Sequence, residues 1–220
     1  MIPFCMRNFL SFVFSIILLI STLYVVLLGI LSGQSSLTLL FGSPVWLAFL
    51  LLFIALLFLS ILEGSQIAIV SLADSTDKQF LEVRKSYPAA YSVMHLMRSK
   101  LRTQQYLAGR QFFVILTVFV IAQITSFPNI EYLPFTPYSI SEIPGWMDLV
   151  CFKLGFLGAL LVLWTAQLIP QYFANHHPDI FLNIPGNFLV VKLCLAIESI
   201  GPTKPANWVT DILLKTVEDS

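Results

Sequence analysis

From Asn8 to Leu62 the chain carries no acidic or basic residue, and its apolar character is interrupted only at Gly33-Gln34-Ser35-Ser36 and Gly42-Ser43-Pro44. A helix crosses the hydrocarbon of a bilayer with about 20 residues. The stretch therefore divides into two predicted spans, about 9–31 and about 45–70. The second stays apolar as far as Ala73 except at Glu63-Gly64-Ser65-Gln66. That is longer than one crossing needs, so the segment must tilt, leave the membrane as helix, or break, and Gly64 is the expected break.

The segment 74–108 has a different pattern. Lys78, Arg84, Lys85, Arg98, Lys100 and Arg102 gather there, and Pro88 divides it into two predicted amphipathic helices. Excess Lys and Arg in a connection marks the cytosolic side. A third span is predicted at about 109–127. The connection from Pro128 to Met147 has no Lys or Arg and reads as an outside loop, with Tyr132, Tyr138 and Trp146 suited to the interface. A fourth span at about 148–172 returns to the cytosol. This order puts the N-terminus in the cytosol, in agreement with Arg7.

The stretch 184–200 is apolar but holds Pro185, Gly186, Asn187, Lys192 and Glu198. It is a possible fifth span or a helix lying in the interface. The tail is expected to form one amphipathic helix over 206–217. The predicted fold is all-α: a single membrane domain over 1–220, with four to five transmembrane helices and a cytosolic amphipathic pair.

Composition supports that class. Of 220 residues, 57% are hydrophobic and 11% charged, against about 25% charged in an ordinary soluble domain. The formal net charge is zero, so nothing suggests nucleic acid as a partner; the partners to expect are membrane lipid and a solute. The first apolar run exceeds the roughly 7–15 residues of a signal-peptide core and reads as a retained helix. Cys5, Cys151 and Cys194 have no metal-ligand spacing. His176, His177 and Asp179 read as interface residues, since adjacent histidines face different sides of a helix. No nucleophile–base pair, phosphate loop or zinc motif is present, so neither an enzyme nor a metal centre is expected.

The candidate chemistry lies in polar groups that lipid cannot satisfy. Glu63 and Gln66 are three apart and share a helix face, with the small residues Gly64 and Ser65 between them. At a helix break, freed carbonyls would join Glu63 in holding a cation. Gly109-Arg110-Gln111 opens the third span, where Arg110 either snorkels to headgroups or pairs with Glu63. Gln167, Gln171 and Asn175 recur every four residues on the fourth span, and Pro170 is expected to bend or open that helix. Gln123 is a further intramembrane amide. A site richer in amide than in charge suits a neutral, hydroxyl-rich solute, because each glutamine offers two donors and an acceptor without needing a countercharge.

Glu63-Gly64-Ser65-Gln66 after an apolar span, followed some forty residues later by Gly109-Arg110-Gln111, resembles the paired signature of silicon (silicic acid) transporters. Full-length members have two five-span halves, each with one such pair; this chain has one pair and is similar to the half-length members. The resemblance implies sodium-coupled uptake of silicic acid at the plasma membrane by a homodimer, with no cofactor beyond sodium as coupling ion. It also implies that the motif glutamines lie near the substrate.

A second resemblance is to the transmembrane domain of cyclin-M/CorC magnesium transporters, carried by the order of elements and by Ala166-Gln167-Leu168-Ile169-Pro170-Gln171. That family has charged residues where this chain has glutamines, and a divalent cation prefers carboxylate ligands. The expected site is therefore Gln66, Gln111, Gln167, Gln171 and Ser65 for substrate, and Glu63 with Arg110 for cation coupling or an ion pair. Gly64 and Gly109 are the motif glycines. The alternatives are a magnesium transporter and a membrane scaffold that transports nothing.

Overall fold

The computed structural model describes residues 4–73, 83, 85–128 and 144–201. Among them the chain is helical: α1 (Phe4–Leu31), α2 (Ser36–Phe41), α3 (Val45–Ala73), α4 (Pro88–Met97), α5 (Lys100–Thr125), α6 (Gly145–Asp148), α7 (Phe156–Val162), α8 (Ile169–His176), α9 (Pro178–Leu182) and α10 (Asn187–Ile200). Two π-helical stretches, Leu149–Lys153 and Leu163–Leu168, lie before α7 and α8. Four segments are long and apolar enough to cross a membrane: Phe12–Phe41, Val45–Leu72, Lys100–Thr125 and Phe156–His176. Phe12, Phe14, Ile17, Phe53, Ile115 and Phe119 on these helices are exposed, which suits a lipid-facing surface. The chain is thus a multi-pass integral membrane protein.

Several boundaries differ from those expected. The helix carrying Gly109 begins at Lys100, so its first turns include basic residues assigned above to the connection. The expected span at 148–172 is interrupted at Gly155, whose φ of +71° is left-handed, and the span-length helix starts only at Phe156. The segment 184–200 yields a helix of 14 residues, about 21 Å at 1.5 Å per residue and short of a ~30 Å hydrocarbon core. Most of the first predicted amphipathic helix, and the one at 206–217, lie outside the described residues.

The chain divides into two compact units, residues 1–60 with 117–169 and residues 61–116 with 170–220. In the first unit, polar groups clasp the end of α5. Ser35 Oγ donates to the Ile124 carbonyl at 2.7 Å, and the Ser36 amide donates to the Ser126 carbonyl at 2.9 Å. The Phe127 amide reaches Phe152 O at 2.8 Å and Ser126 Oγ reaches Lys153 O at 2.6 Å. The last carbonyls of a helix have no intrahelical partner, and inside a membrane protein side chains or neighbouring backbone must supply one. Gly29 lets the Phe127 ring lie 2.5 Å from where its Cβ would be.

The second unit holds the C-terminal part of α3, α4, the N-terminal part of α5, and the chain from Pro170 onward. Here α4 packs on α9 and α10, burying Ala90, Val93, Met94 and Met97. Pro88 starts α4, where a missing N–H costs nothing. The free amide of Ala89 donates to Asn183 Oδ1 at 3.1 Å.

Candidate functional site

Every residue of the two motifs lies in the second unit. Glu63 and Arg110 are both buried, and their side chains form an ion pair, with Oε1 3.1 Å from Nη1. The other carboxylate oxygen, Oε2, accepts from Gln171 Nε2 at 3.0 Å. Three helices, α3, α5 and α8, thus meet on one carboxylate. A buried charge without a partner is strongly destabilising, and here the pair keeps the site neutral. Of the two readings of Arg110, pairing is the one observed. Arg110 Nη2 also reaches Gln111 Oε1 at 3.3 Å.

The helix does not break at Gly64. α3 runs unbroken from Val45 to Ala73, so no carbonyls are freed there, and the expected cation cradle of backbone oxygens is not formed. Gly64 serves a different purpose. A Cβ at this position would overlap the ring of Phe181 on α9. Gly109 does the same on α5, where a Cβ would overlap the Cys194 carbonyl oxygen of α10 and stand 3.2 Å from Ile197 Cγ2. Both motif glycines are sites of close approach, the use small residues have in membrane helix packing.

Ser65 is fully buried, and its hydroxyl donates to Asn187 Oδ1 in a short hydrogen bond. Asn187 Nδ2 donates to the Phe181 carbonyl at 2.7 Å. Asn187 therefore ties α3 to the end of α9. Tyr106, one turn before Arg110 on α5 and thus on its face, is fully buried beside Ser65. Among the described residues its hydroxyl has no hydrogen-bond partner, nor has Arg110 Nε. Leaving such a buried donor unpaired costs about 1–3 kcal/mol.

Outside the span-length helices, burial pushes the thiol of Cys194 up to about 12, so this cysteine is a neutral, apolar neighbour to Arg110 at ordinary pH.

Gln66 is half-buried and Gln111 exposed. Gln171 is committed through its amide nitrogen to Glu63. Gln167 is half-buried on the π-helical stretch and belongs to the first unit, as does Gln123. Pro170 does open the helix, by widening it: the Ile169 amide bonds to the Trp164 carbonyl, five residues back. A π turn shifts the hydrogen-bond register ahead of the residue that cannot donate. His176 Nδ1 lies 2.9 Å from the Tyr172 carbonyl, and the ring of His177 rests against Phe173.

Sequence reasoning missed Tyr106, Asn187 and Phe181. Tyr106 was findable as the residue four before Arg110, and Asn187 as an amide in an apolar segment. Nothing local marks Phe181.

Span-length apolar helices, together with a buried and internally neutralised polar cluster within the second unit, define a multi-pass membrane protein. The chain belongs to the silicon transporter family, which it matches over residues 9–219. Its class is therefore membrane transporter. No curated protein and no solved structure matches the chain.

Proposed function

We propose that the protein carries silicic acid across a membrane, as a sodium-coupled uptake transporter of the plasma membrane with its N-terminus in the cytosol, acting as a homodimer. Family membership supports the solute; sodium coupling and the dimer rest on the resemblance of the motif pair to half-length members. The observation that carries the choice of a neutral solute is the Glu63–Arg110 pair. Its charges cancel and Gln171 holds the second carboxylate oxygen, so no spare anionic charge remains there for a divalent ion. In the same unit the amides of Gln66 and Gln111 supply hydroxyl-matching donors and acceptors. Desolvating a small polyhydroxy solute is tolerable when several such groups replace water together. Sodium would use the Glu63 carboxylate when Arg110 releases it.

Uptake into proteoliposomes, followed with germanium-68 or silicic acid under an imposed sodium gradient, tests this reading. Sodium-dependent uptake, abolished by Gln66→Ala and Gln111→Ala, is expected. Magnesium flux without silicic acid uptake would overturn it, and a folded protein moving neither would be a scaffold.

A further inference from the structure

We infer that Tyr106 is a substrate-binding residue: its hydroxyl, together with Arg110 Nε, receives one hydroxyl group of the transported solute. This deepens the reading above and rests on it. Tyr106 is fully buried, yet its oxygen has no hydrogen-bond partner among the described residues. Arg110 is buried on the same face one turn on, and its Nε and Nη1 likewise lack a hydrogen-bond acceptor, although Nη1 faces the Glu63 carboxylate. Buried polar groups in native proteins are nearly always bonded, and an exception asks for an absent partner.

The chemistry these two groups ask for is specific. A guanidinium N–H only donates, whereas a phenol both donates and accepts. One oxygen able to accept from Arg110 and to exchange a hydrogen bond with Tyr106 satisfies both, and a neutral hydroxyl does this. An anion would meet the Glu63 carboxylate 3.1 Å from the same guanidinium, and a bare cation would meet the arginine. Ser65 gives its proton to Asn187 Oδ1, so it could meet the phenol only as an acceptor, and the phenol's own lone pairs and Arg110 Nε would still lack their partner. The Ser65–Asn187 pair instead forms a fixed wall beside the phenol. Gly109, set against the Cys194 backbone, holds this turn of α5 close to α10.

The test is Tyr106→Phe in the full chain, reconstituted and assayed for the concentration dependence of silicic acid uptake. The ring that fills the core remains and only the oxygen goes. The expected result is a KM raised about threefold to tenfold, the worth of one hydrogen bond at about 0.7–1.4 kcal/mol. The maximal rate should hold, and the thermal midpoint should stay or rise because an orphaned polar atom has been removed. Silicic acid should also raise the thermal midpoint of the wild-type protein more than that of the variant. An unchanged KM in a variant whose wild-type parent transports silicic acid overturns the inference and leaves the proposed function standing. A lowered midpoint with unchanged KM assigns Tyr106 to packing and overturns it too. Neither uptake nor a thermal shift in the wild-type protein brings down the proposed function, and this inference with it.

Discussion

The ring of Phe181 occupies the space that a side chain at position 64 would fill. Gly64→Ala should therefore lower stability by about 1–3 kcal/mol, the usual cost of overpacking. Thermal unfolding in detergent reads this directly. Combining it with Phe181→Leu should recover much of the loss, since the smaller side chain returns the space. A Gly64→Ala protein as stable as its parent would contradict the close approach.

Removing one member of the Glu63–Arg110 pair exposes the other. Glu63→Gln keeps an acceptor for Gln171 but leaves the Arg110 guanidinium buried and uncompensated, a loss of about 3–5 kcal/mol. The double variant Glu63→Gln with Arg110→Met should regain most of that stability. If the single and double variants unfold at the same temperature, the two charges are not coupled.

Asn187 makes two buried hydrogen bonds, to the Ser65 hydroxyl and from its own amide to the Phe181 carbonyl. Asn187→Ala should cost about 1–3 kcal/mol for each group left unpaired. Asn187→Asp sets a buried carboxylate oxygen against the Phe181 carbonyl, so at neutral pH its midpoint should fall at least as far as that of Asn187→Ala.

Gly155 and Gly42 both have left-handed backbone, with φ of +71° and +59°. A side chain costs about 1–2 kcal/mol in that region. At Gly155 the new Cβ would also stand 3.2 Å from the Ala122 carbonyl oxygen, whereas Gly42 has open space around it. Gly155→Ala should destabilise more than Gly42→Ala, and equal midpoints would argue against the crowding.

The Cys194 thiol is pushed up to about 12 by burial, above the roughly 8.5 of a free thiol. A group whose folded pKa is raised contributes stability that is present below the unfolded value. Its contribution is lost as pH rises towards the folded one. Stability should thus fall between about pH 8.5 and about 12, and less so in Cys194→Ser. Maleimide at neutral pH should modify half-buried Cys151 well before Cys194, as mass spectrometry of single-cysteine variants would show.

Much of the candidate site is legible in the sequence. Glu63 and Arg110 stand out because charge in an apolar run must be paired or solvated, and the pair is what the fold contains. Other features differ from the local expectation for a consistent reason. Gly64 looked like a conformational break, the local meaning of glycine, but its use is steric and depends on Phe181, 117 residues further along the chain by number. The helix carrying Gly109 begins at Lys100, earlier than its charge pattern predicts, because charge marks the membrane surface and not the end of a helix. A helix continues past that surface wherever its backbone bonds and neighbouring helices support it.

The sequence by itself determined that this is an all-helical, multi-pass membrane protein with span-length apolar segments, and that two short polar motifs concentrate its chemistry. Those properties are local: hydropathy acts residue by residue over a helix, and charge in an apolar run is conspicuous wherever it stands. Only the tertiary structure decided which groups answer one another. It gave the second oxygen of Glu63 to Gln171, set Asn187 against Ser65, placed Phe181 and Cys194 against the two glycines, and left the Tyr106 hydroxyl buried without a partner. Such pairings arise from how helices far apart in sequence pack, and no local pattern encodes the partner.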